Sequence, residues 1–264
     1  MREGEIAQRQ LSDYDQHRPG SCFEDPSFWL SIDEAYRLQF EVARMRIDRG
    51  ENILGYKIGC ISKTMQKQIG IDHPVFGHVW NSESHSSGVT LDADNYQNLA
   101  IEGEFAIRLA DDVPSPDWLR KNPDAIGKGF VVIELHNYVF RGRQEVRACE
   151  LVANNAIHAG VVMPIEETRV HHAGLLNSAT IRVSKNNRVL GKSRLQNAAK
   201  TMLDGLIQLA EHLEKFDRCL LRGQMILTGS PLPLWPMKKG DFVEVVSNQL
   251  GIKSVMKVAA PTTK

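Results

Sequence analysis

The sequence predicts an α+β protein in which helices flank a mixed sheet or roll. Helical periodicity is concentrated near the two ends of the chain, in residues 31–49 and 196–216, and the stretch between them is rich in strand-like segments. Because strands and helices do not alternate regularly, a parallel sheet of βαβ units is disfavoured. We expect one compact unit, with an N-terminal helical cap region over 1–80 that carries the strand GYKIG and a β-rich catalytic core over 81–264.

Capping signals and periodicity define the first elements. Residues 1–30 are polar and predict an irregular arm or a short helix. Ser31 and Glu34 fit a capping box that begins the next helix, and Gly50 is placed to end it. The segment ILGYKIG then predicts a strand, and SKTMQKQIG predicts a short helix whose N-cap is Ser62.

In the central part of the chain the apolar period changes to two. IEGEFAIRL alternates between faces, and FVVIEL is a continuous apolar run typical of a strand buried on both sides. ELVANNAIHAG predicts a helix. ATIRVSKNNRVLGKS predicts a hairpin that turns at Asn186 and Asn187. An amphipathic helix over 196–216 and the strands FVEVV and IKSVMKV complete the prediction.

Composition excludes several classes of protein. The 264 residues carry 32 basic and 32 acidic side chains, whereas a nucleic-acid-binding protein needs concentrated Lys and Arg. No apolar run reaches the roughly 18 residues of a membrane span, and the polar N-terminus lacks the apolar core of a secretory signal. The 4 cysteines are scattered, without a disulfide or metal-binding pattern. We therefore expect a cytoplasmic protein that binds neither nucleic acid nor membrane.

Three glutamates form a candidate metal site. Glu102 and Glu104 share one face of a predicted strand, and Glu134 is the only charge in VVIEL. An ionised carboxylate in a buried strand must be paired, protonated or bound to metal. If the two strands are neighbours, the carboxylates converge, and an all-oxygen site favours Mg²⁺ or Mn²⁺. Zinc is disfavoured because neither His nor Cys stands at a matching spacing. The alternative is a solvated sheet face on which Glu102 and Glu104 pair with Arg108 or a lysine.

Lys57 lies in LGYKIGC, between glycines and apolar residues. Burial tends to lower the pKa of an ammonium group, so Lys57 is a candidate proton donor or oxyanion partner. A lysine that snorkels from an edge strand is the alternative. His73 is close in sequence to this region and is a candidate acid or base, although a histidine in a turn or in the core is the commoner arrangement. No GxSxG, P-loop, GxGxxG or HExxH motif is present.

Several segments, taken in order, resemble the 2-keto-4-pentenoate hydratase and 4-oxalocrotonate decarboxylase branch of the fumarylacetoacetate hydrolase superfamily. They are DEAYRLQ, GYKIGCISKTMQ, PVFG, IEGEFAIRL, VVIEL, ELVANNA and ILTGS followed by KKGD, and they extend over residues 31–247. The resemblance implies a mixed β-roll with flanking helices, assembled as a homo-oligomer, often a pentamer or decamer. It also implies that Glu102, Glu104 and Glu134 bind Mg²⁺ or Mn²⁺ and that Lys57 is an active-site lysine.

The same resemblance assigns residues to the substrate. Thr228, Gly229 and Ser230 match a loop near the substrate, and their hydroxyl and N–H groups could hold a carboxylate, although a plain strand-to-loop transition is equally compatible. Asn155 lies in the segment 154–157, where the family has Asp-Asn-Ala-Ser, and is expected to bind substrate.

The chain departs from the family's pattern around the expected substrate. Val75 stands where an acidic residue commonly precedes the aromatic-Gly pair, and Asn154 and Ile157 stand where Asp and Ser are usual. Asn137 occupies another position that is usually acidic. Since the acid that would activate water is missing, His73 is the candidate replacement base.

The resemblance implies a divalent-metal-dependent hydratase (a lyase) of aromatic hydrocarbon catabolism. It would add water to a 2-hydroxy-2,4-dienoate, of the 2-keto-4-pentenoate type, through a metal-bound enolate, so its partner is a small 2-keto or 2-hydroxydienoic acid. A decarboxylase of the 4-oxalocrotonate type is one alternative, because loss of CO₂ leaves the same enolate. Hydrolysis of an acylpyruvate ranks third. A catalytically inactive scaffold homologue is the remaining alternative, motivated by the departures at Val75, Asn154 and Ile157.

Overall fold

The polypeptide forms two β-sheets with helices on their flanks. The computed structural model describes residues 3–169, 177, 179–194 and 198–261. Within these ranges the α-helices are α1 (Glu3–Asp15), α2 (Ile32–Asp48), α3 (Lys63–Ile69), α4 (Pro116–Lys121), α5 (Arg147–Ala153) and α6 (Ala198–Glu214). The strands there are β1 (Ile53–Gly59), β2 (Val75–Trp80), β3 (Ser84–Ser86), β4 (Val89–Leu91), β5 (Leu99–Leu109), β6 (Ile126–Asn137), β7 (His158–Met163), β8 (Thr168–Arg169), β9 (Thr180–Lys185), β10 (Arg188–Arg194), β11 (Met225–Leu227), β12 (Trp235–Pro236), β13 (Phe242–Ser247) and β14 (Ile252–Val258).

The larger sheet is mixed and joins early and late parts of the chain. Its main strand order is β2-β1-β11-β5-β6-β7-β3, with β12 added to β5 and β8 added to β6. β1 and β11 run parallel, as do β3 and β7, whereas β5 and β6 are antiparallel. The smaller sheet has the order β10-β9-β13-β14-β4, in which β4 and β14 are parallel. Both sheets therefore contain parallel and antiparallel pairs, and the α+β class with a mixed, rolled sheet is confirmed.

A side chain closes the roll of the larger sheet. The backbone N–H of His78 on β2 donates to Oδ1 of Asn155 at 2.6 Å, and Nδ2 of Asn155 donates to the His78 carbonyl at 2.8 Å. The amide of Asn155 thus satisfies both backbone groups of one strand residue, as a neighbouring strand would. The contact is close because Gly77 has no side chain: a Cβ there would lie 2.7 Å from the Asn155 carbonyl oxygen.

The outer face of β5 packs on the smaller sheet. A Cβ at Gly103 would lie 2.4 Å from Cγ2 of Val183, so the glycine lets the two sheets approach. Val183 and Val245 are completely buried at this contact. Because side chains alternate along a strand, burial of the Gly103 face directs Glu102 and Glu104 into the interior of the roll.

Several local predictions are confirmed. The Ser31 hydroxyl accepts a hydrogen bond from the Glu34 N–H, and the Glu34 carboxylate accepts from the Ser31 N–H, which completes the capping box of α2. The Ser62 hydroxyl caps α3 by accepting a hydrogen bond from the Met65 N–H. The hairpin of β9 and β10 turns at Asn186 and Asn187, whose φ angles are 51° and 63°.

The predicted helix over ELVANNAIHAG is wrong in its second half. α5 ends at Ala153, and β7 begins at His158. Between them, Asn155–Ile157 has φ angles of 54°, 53° and 55°. Left-handed backbone cannot continue a right-handed helix. Long-range hydrogen bonds hold this turn, since Asn155 pairs with β2 and the Ala156 carbonyl accepts from Lys57.

The larger sheet also crosses the boundary that we predict at residue 80. β1 and β2 precede this residue, yet β1 pairs with β11, which comes near the C-terminal end of the chain. The division into a cap region and a core stays a prediction. In the part of the chain that the structure describes, no helix is both long enough and apolar enough to cross a bilayer.

Candidate metal centre and active site

Three glutamates meet inside the roll. Glu102 of β5 lies directly opposite Glu134 of β6 in the antiparallel register. Glu104 is two residues further along β5, so its side chain projects from the same face. Glu134 is 0% exposed and Glu104 is 1% exposed, whereas the side chain of Glu102 keeps 22% of its surface in contact with solvent. The cluster is therefore buried, and Glu102 lies on its solvent side.

The two oxygens of Glu134 have different surroundings. Oε1 lies 3.0 Å from Nζ of Lys57 and 2.7 Å from Nδ1 of His158. Oε2 has no hydrogen-bond partner within the described part of the chain, and it lies 3.5 Å from Nε2 of His136. One oxygen is thus paired with cationic or donor groups, while the other lies near His136 without a hydrogen bond.

The crowding of charge shifts the pKa values of the carboxyl groups in opposite directions. Burial raises the pKa of Glu104, and the neighbouring carboxylates of Glu134 and Glu102 raise it further. Burial also opposes ionisation of Glu134, but Lys57 and then the two nearby imidazoles outweigh it and hold the pKa of Glu134 well below its usual value. Glu134 is therefore ionised, and the neighbouring Glu104 takes up a proton more readily than an ordinary glutamate does.

Lys57 is buried at the centre of this arrangement, with 4% of its surface exposed. β1 lies between β2 and β11, so the alternative of a snorkelling lysine on an edge strand is excluded. Nζ donates to the Ala156 carbonyl at 3.1 Å and contacts Glu134. Burial lowers the pKa of Lys57, but Glu134 and the other two glutamates raise it more, so the net shift is upward. The expectation of a lowered pKa is wrong because it considered burial without the carboxylates.

The loop after β11 contacts the cluster through its backbone. The Gly229 N–H donates to Oε2 of Glu104 at 3.1 Å. Gly229 has a φ of 93°, and a Cβ there would lie 2.6 Å from Cγ2 of Ile61. The hydroxyl of Thr228 donates to the Phe105 carbonyl, and that of Ser230 to the Gly103 carbonyl. These hydroxyls thus hold the loop against β5, and the glycine N–H supports a carboxylate of the cluster.

Two of the predicted site residues lie elsewhere or serve the fold. His73 lines a separate cleft of about 590 Å³ together with Tyr36, Phe76 and His212, and none of the clustered glutamates borders that cleft. The structure therefore does not bring His73 to Lys57. Both amide atoms of Asn155 are used by the backbone of β2, so its side chain closes the roll.

Two histidines that sequence reasoning missed adjoin Glu134. His136 follows Glu134 by two residues on β6, so the same period of two that grouped Glu102 with Glu104 could have found it. The statement that no histidine stands at a matching spacing is therefore wrong. His158 begins β7 and pairs with His136 in the sheet register. It was hidden within the segment predicted as helix.

His158 is held in place through both its side chain and its backbone. Its Nδ1 lies against Glu134, and its backbone carbonyl accepts a hydrogen bond from the Tyr14 hydroxyl at 2.5 Å. Its Nε2 is buried and has no hydrogen-bond partner among the described residues. When Nδ1 carries the proton donated to Glu134, Nε2 presents a lone pair, which is the arrangement of a general base.

The donors present fit a divalent cation. One ligand atom each from Glu102, Glu134 and His136 can be chosen so that all lie within 4.8 Å of one another. Oε2 of Glu134 and Nε2 of His136 lie 3.5 Å apart, and neither has a hydrogen-bond partner among the described residues. Buried polar atoms without partners are costly, and a bound cation removes that cost.

The sequence is similar to those of curated hydratases over most of its length. It is 27% identical over 233 residues to 2-hydroxyhexa-2,4-dienoate hydratase of Comamonas testosteroni, covering 86% of each chain. It is 26% identical over 231 residues to 2-oxo-hept-4-ene-1,7-dioate hydratase of Escherichia coli, covering 84% of this chain and 85% of that relative. No protein-family model matches the chain.

Solved structures share the fold. 4-Oxalocrotonate decarboxylase from Pseudomonas putida G7, complexed with magnesium and adipate, superposes with a TM-score of 0.84 at 22% identity and 97% coverage of both chains. Fumarylpyruvate hydrolase from Pseudomonas aeruginosa, in complex with Mn²⁺ and pyruvate, gives a TM-score of 0.56 at 15% identity, covering 78% of this chain and 88% of that one. Both of these neighbours were solved with a divalent metal and an organic acid.

Proposed function

Because the chain belongs to the hydratase and decarboxylase branch of the fumarylacetoacetate hydrolase superfamily, we propose that it is a divalent-metal-dependent hydratase. Its substrate is a 2-hydroxy-2,4-dienoate of the 2-keto-4-pentenoate type. The observation that carries the proposal is the buried pair of Lys57 and Glu134, placed next to Glu102 and Glu104 inside the roll.

We assign Glu102, Glu104 and Glu134 to the cation, with Mg²⁺ or Mn²⁺ as the metal. When bound, it supplies Lewis-acid stabilisation of negative charge on the C2 oxygen of a 2-keto acid. Glu134 is suited to this role because it stays ionised while one of its oxygens remains without a partner. Glu104 is positioned by the Gly229 N–H.

Lys57 orients the substrate by donating hydrogen bonds from its ammonium group. Two of its three N–H hydrogens are directed to Glu134 and to the Ala156 carbonyl. The third is available for the C2 oxygen of the substrate, where an ammonium group stabilises developing negative charge. Because both other bonds are made to buried groups, the ammonium is already oriented before substrate arrives.

His158 replaces His73 as the proposed base for water. In the reaction, the 2-hydroxyl of the dienoate loses a proton and C5 gains one, which gives the conjugated 2-oxo-3-enoate. Water then adds its oxygen at C4, and C3 receives a proton. We assign acceptance of that water's proton to Nε2 of His158, which has no hydrogen-bond partner among the described residues while Nδ1 is held by Glu134.

Decarboxylation of a 4-oxalocrotonate-type acid is the second candidate. Val75 and Ile157 are buried where the family commonly has an acid and a hydroxyl. Loss of CO₂ from such a substrate requires stabilisation of an enolate, but it needs no activated water. The apolar side chains at these two positions are therefore compatible with a decarboxylase.

The test is an assay on purified protein with 2-hydroxypenta-2,4-dienoate and 2-hydroxyhexa-2,4-dienoate, followed by loss of the dienol absorbance. We expect turnover with Mg²⁺ or Mn²⁺ and none after EDTA. Release of CO₂ from 4-oxalocrotonate without turnover of either dienoate would support the decarboxylase instead. If none of these acids were turned over, the protein would be interpreted as the catalytically inactive scaffold homologue.

The glutamate assignment is tested separately by metal binding. Glu134→Gln should weaken Mg²⁺ and Mn²⁺ binding strongly in calorimetry, because it removes the ionised ligand. Glu167→Gln is the matched control, since Glu167 is also shielded from solvent but pairs with Arg108 and Lys128 outside the cluster. An unchanged affinity in Glu134→Gln would remove Glu134 from the metal site.

The wider assignment follows from the same proposal. We propose that the protein acts in the cytoplasm, in the catabolism of aromatic hydrocarbons, as a homo-oligomer of five or ten chains. Relatives named 2-hydroxyhexa-2,4-dienoate hydratase and 2-keto-4-pentenoate hydratase support the catabolic part of this proposal. Light scattering on the purified protein would determine the number of chains, and a monomer would contradict the assembly.

A further inference from the structure

We infer that His136 is a metal ligand, so that the centre has a mixed nitrogen and oxygen donor set that favours later transition metals such as Co²⁺ and Zn²⁺ over Mg²⁺. The inference rests on the proposed metal centre and goes beyond its carboxylate ligands. Glu102, Glu134 and His136 are the described residues whose ligand atoms all come within 4.8 Å of one another.

The ring of His136 makes no hydrogen bond to the described part of the chain. The side chain is 2% exposed, and neither Nδ1 nor Nε2 has a hydrogen-bond partner among the described residues. A buried imidazole without partners loses the hydrogen bonds that it would make to water. Such a group is rare in a folded protein and calls for a ligand that the side chain can bind.

The ring is aimed at the carboxylates of the centre. Nε2 lies 3.4 Å from Oε2 of Glu102 and 3.5 Å from Oε2 of Glu134. Both distances are longer than the usual range of about 2.7–3.2 Å for a nitrogen-to-oxygen hydrogen bond. A cation bound by all three residues would explain why Nε2 of His136 and the two carboxylate oxygens face one another without forming hydrogen bonds.

The donor chemistry then determines which metals bind best. Imidazole nitrogen is a good ligand for transition metals, whereas Mg²⁺ prefers carboxylate, carbonyl and water oxygens. With His136 as a ligand, loss of its imidazole should weaken Co²⁺ and Zn²⁺ binding much more than Mg²⁺ binding. A site made of carboxylates alone would show no such difference.

The experiment measures nitrogen coordination directly, by electron spin echo envelope modulation of the Mn²⁺-loaded protein. We expect ¹⁴N couplings in the wild type, their loss in His136→Gln, and their retention in His158→Gln. His212→Gln is the matched control, because His212 is also buried and also has an unpartnered Nε2, but lies on α6 outside the cluster. Calorimetry should give at least about a tenfold weaker Co²⁺ affinity in His136→Gln, with Mg²⁺ affinity changed by less than about threefold.

The outcomes separate this inference from the proposed function. Tight Mn²⁺ binding without ¹⁴N coupling in the wild type, which needs no variant to fold, would overturn the role of His136 and leave the carboxylate centre intact. Couplings that survive in His136→Gln, or that vanish in His158→Gln instead, would also overturn it. If wild-type protein bound neither Mg²⁺ nor Mn²⁺, the metal-dependent function itself would be lost.

Discussion

Lys57 and Glu134 form an ion pair inside the roll, with 3.0 Å between Nζ and Oε1. Their side chains are 4% and 0% exposed, and each belongs to a different strand of the larger sheet. Because both side chains are buried, water cannot solvate either charge when its partner is removed. The pair therefore couples the stability of the fold to the geometry of the candidate site.

Replacing the lysine alone should expose this coupling. We expect Lys57→Met to lower the free energy of unfolding by about 3–5 kcal/mol, because it leaves the Glu134 charge buried without its main partner. Urea unfolding measures the change. The double variant Lys57→Met with Glu134→Gln should recover part of the loss, since it removes the uncompensated charge as well.

Lys128→Met is the control for that measurement. Lys128 also pairs with a glutamate, at 3.1 Å from Glu167, but its side chain is 43% exposed. An exposed pair contributes little to stability, so we expect only a small change. Equal losses in Lys57→Met and Lys128→Met would contradict the role given to burial.

The sequence allowed the main part of the cluster to be predicted from local rules. Glu102 and Glu104 share a face because a strand has a period of two, and Glu134 was identified as a lone charge in an apolar run. The pairing of the two strands in this register is a long-range contact. Only the family resemblance allows it to be predicted from the sequence. His136 obeys the same period as the glutamates and was overlooked, although no tertiary knowledge was needed to find it.

The remaining differences between the sequence-based expectations and the structure have tertiary causes. The helix α5 ends at Ala153, and long-range hydrogen bonds hold the left-handed turn that places His158 in the site. They join Asn155 to His78 and Lys57 to the Ala156 carbonyl. His73 is near the site in sequence, but β2 begins after it and leaves it at the outer cleft. Short separation along the chain did not predict proximity in space.

Asn155 should prove to be a structural residue. We expect Asn155→Ala to lower the free energy of unfolding by about 3 kcal/mol, because it leaves the buried N–H and C=O of His78 without partners. The matched control is Asn187→Ala. Asn187 also has a left-handed φ, of 63°, but lies exposed in a hairpin turn.

Chemical denaturation of both variants separates the two contributions. Asn187→Ala should lose only the cost of a left-handed alanine, which is about 1 kcal/mol. If Asn155→Ala lost no more than this control, the amide bridge to β2 would not stabilise the roll.

Gly229 should resist substitution for two separable reasons. A side chain there has an unfavourable φ of 93°, and its Cβ would lie 2.6 Å from Cγ2 of Ile61. We expect Gly229→Ala to destabilise the protein and to raise KM, because the loop that contacts Glu104 must shift. Gly223→Ala is the control, since Gly223 has a φ of 84° and no atom within 4 Å of a Cβ.

The difference between the two alanine variants reports the contacts of the added Cβ with Ile61 and with the Ile58 carbonyl oxygen. Adding Ile61→Ala to Gly229→Ala should restore part of the stability, whereas the Ile58 carbonyl oxygen at 3.2 Å and the backbone cost of about 1 kcal/mol remain. A double variant as unstable as Gly229→Ala would place the strain elsewhere in the loop.

Two buried histidines should make the protein less stable in mild acid. Burial, as the largest cause, lowers the pKa of His78 and of His212 from 6.5 to about 3. Below pH 6.5 the unfolded chain therefore binds protons that the folded protein does not, so the free energy of unfolding falls as the pH falls toward 3. Each histidine contributes a slope of up to about 1.4 kcal/mol per pH unit.

His212→Phe tests this origin of the slope. The ring of His212 packs against Tyr36, Phe76 and Phe216, so phenylalanine suits the surroundings but cannot take up a proton. Urea titrations between about pH 6.5 and 5, where most carboxylates stay ionised in both states, should show about half of the wild-type slope that these two histidines cause. The comparison uses slopes, so a constant change in packing energy does not affect it. An unchanged slope would mean that His212 takes up its proton as easily in the folded protein as in the unfolded chain.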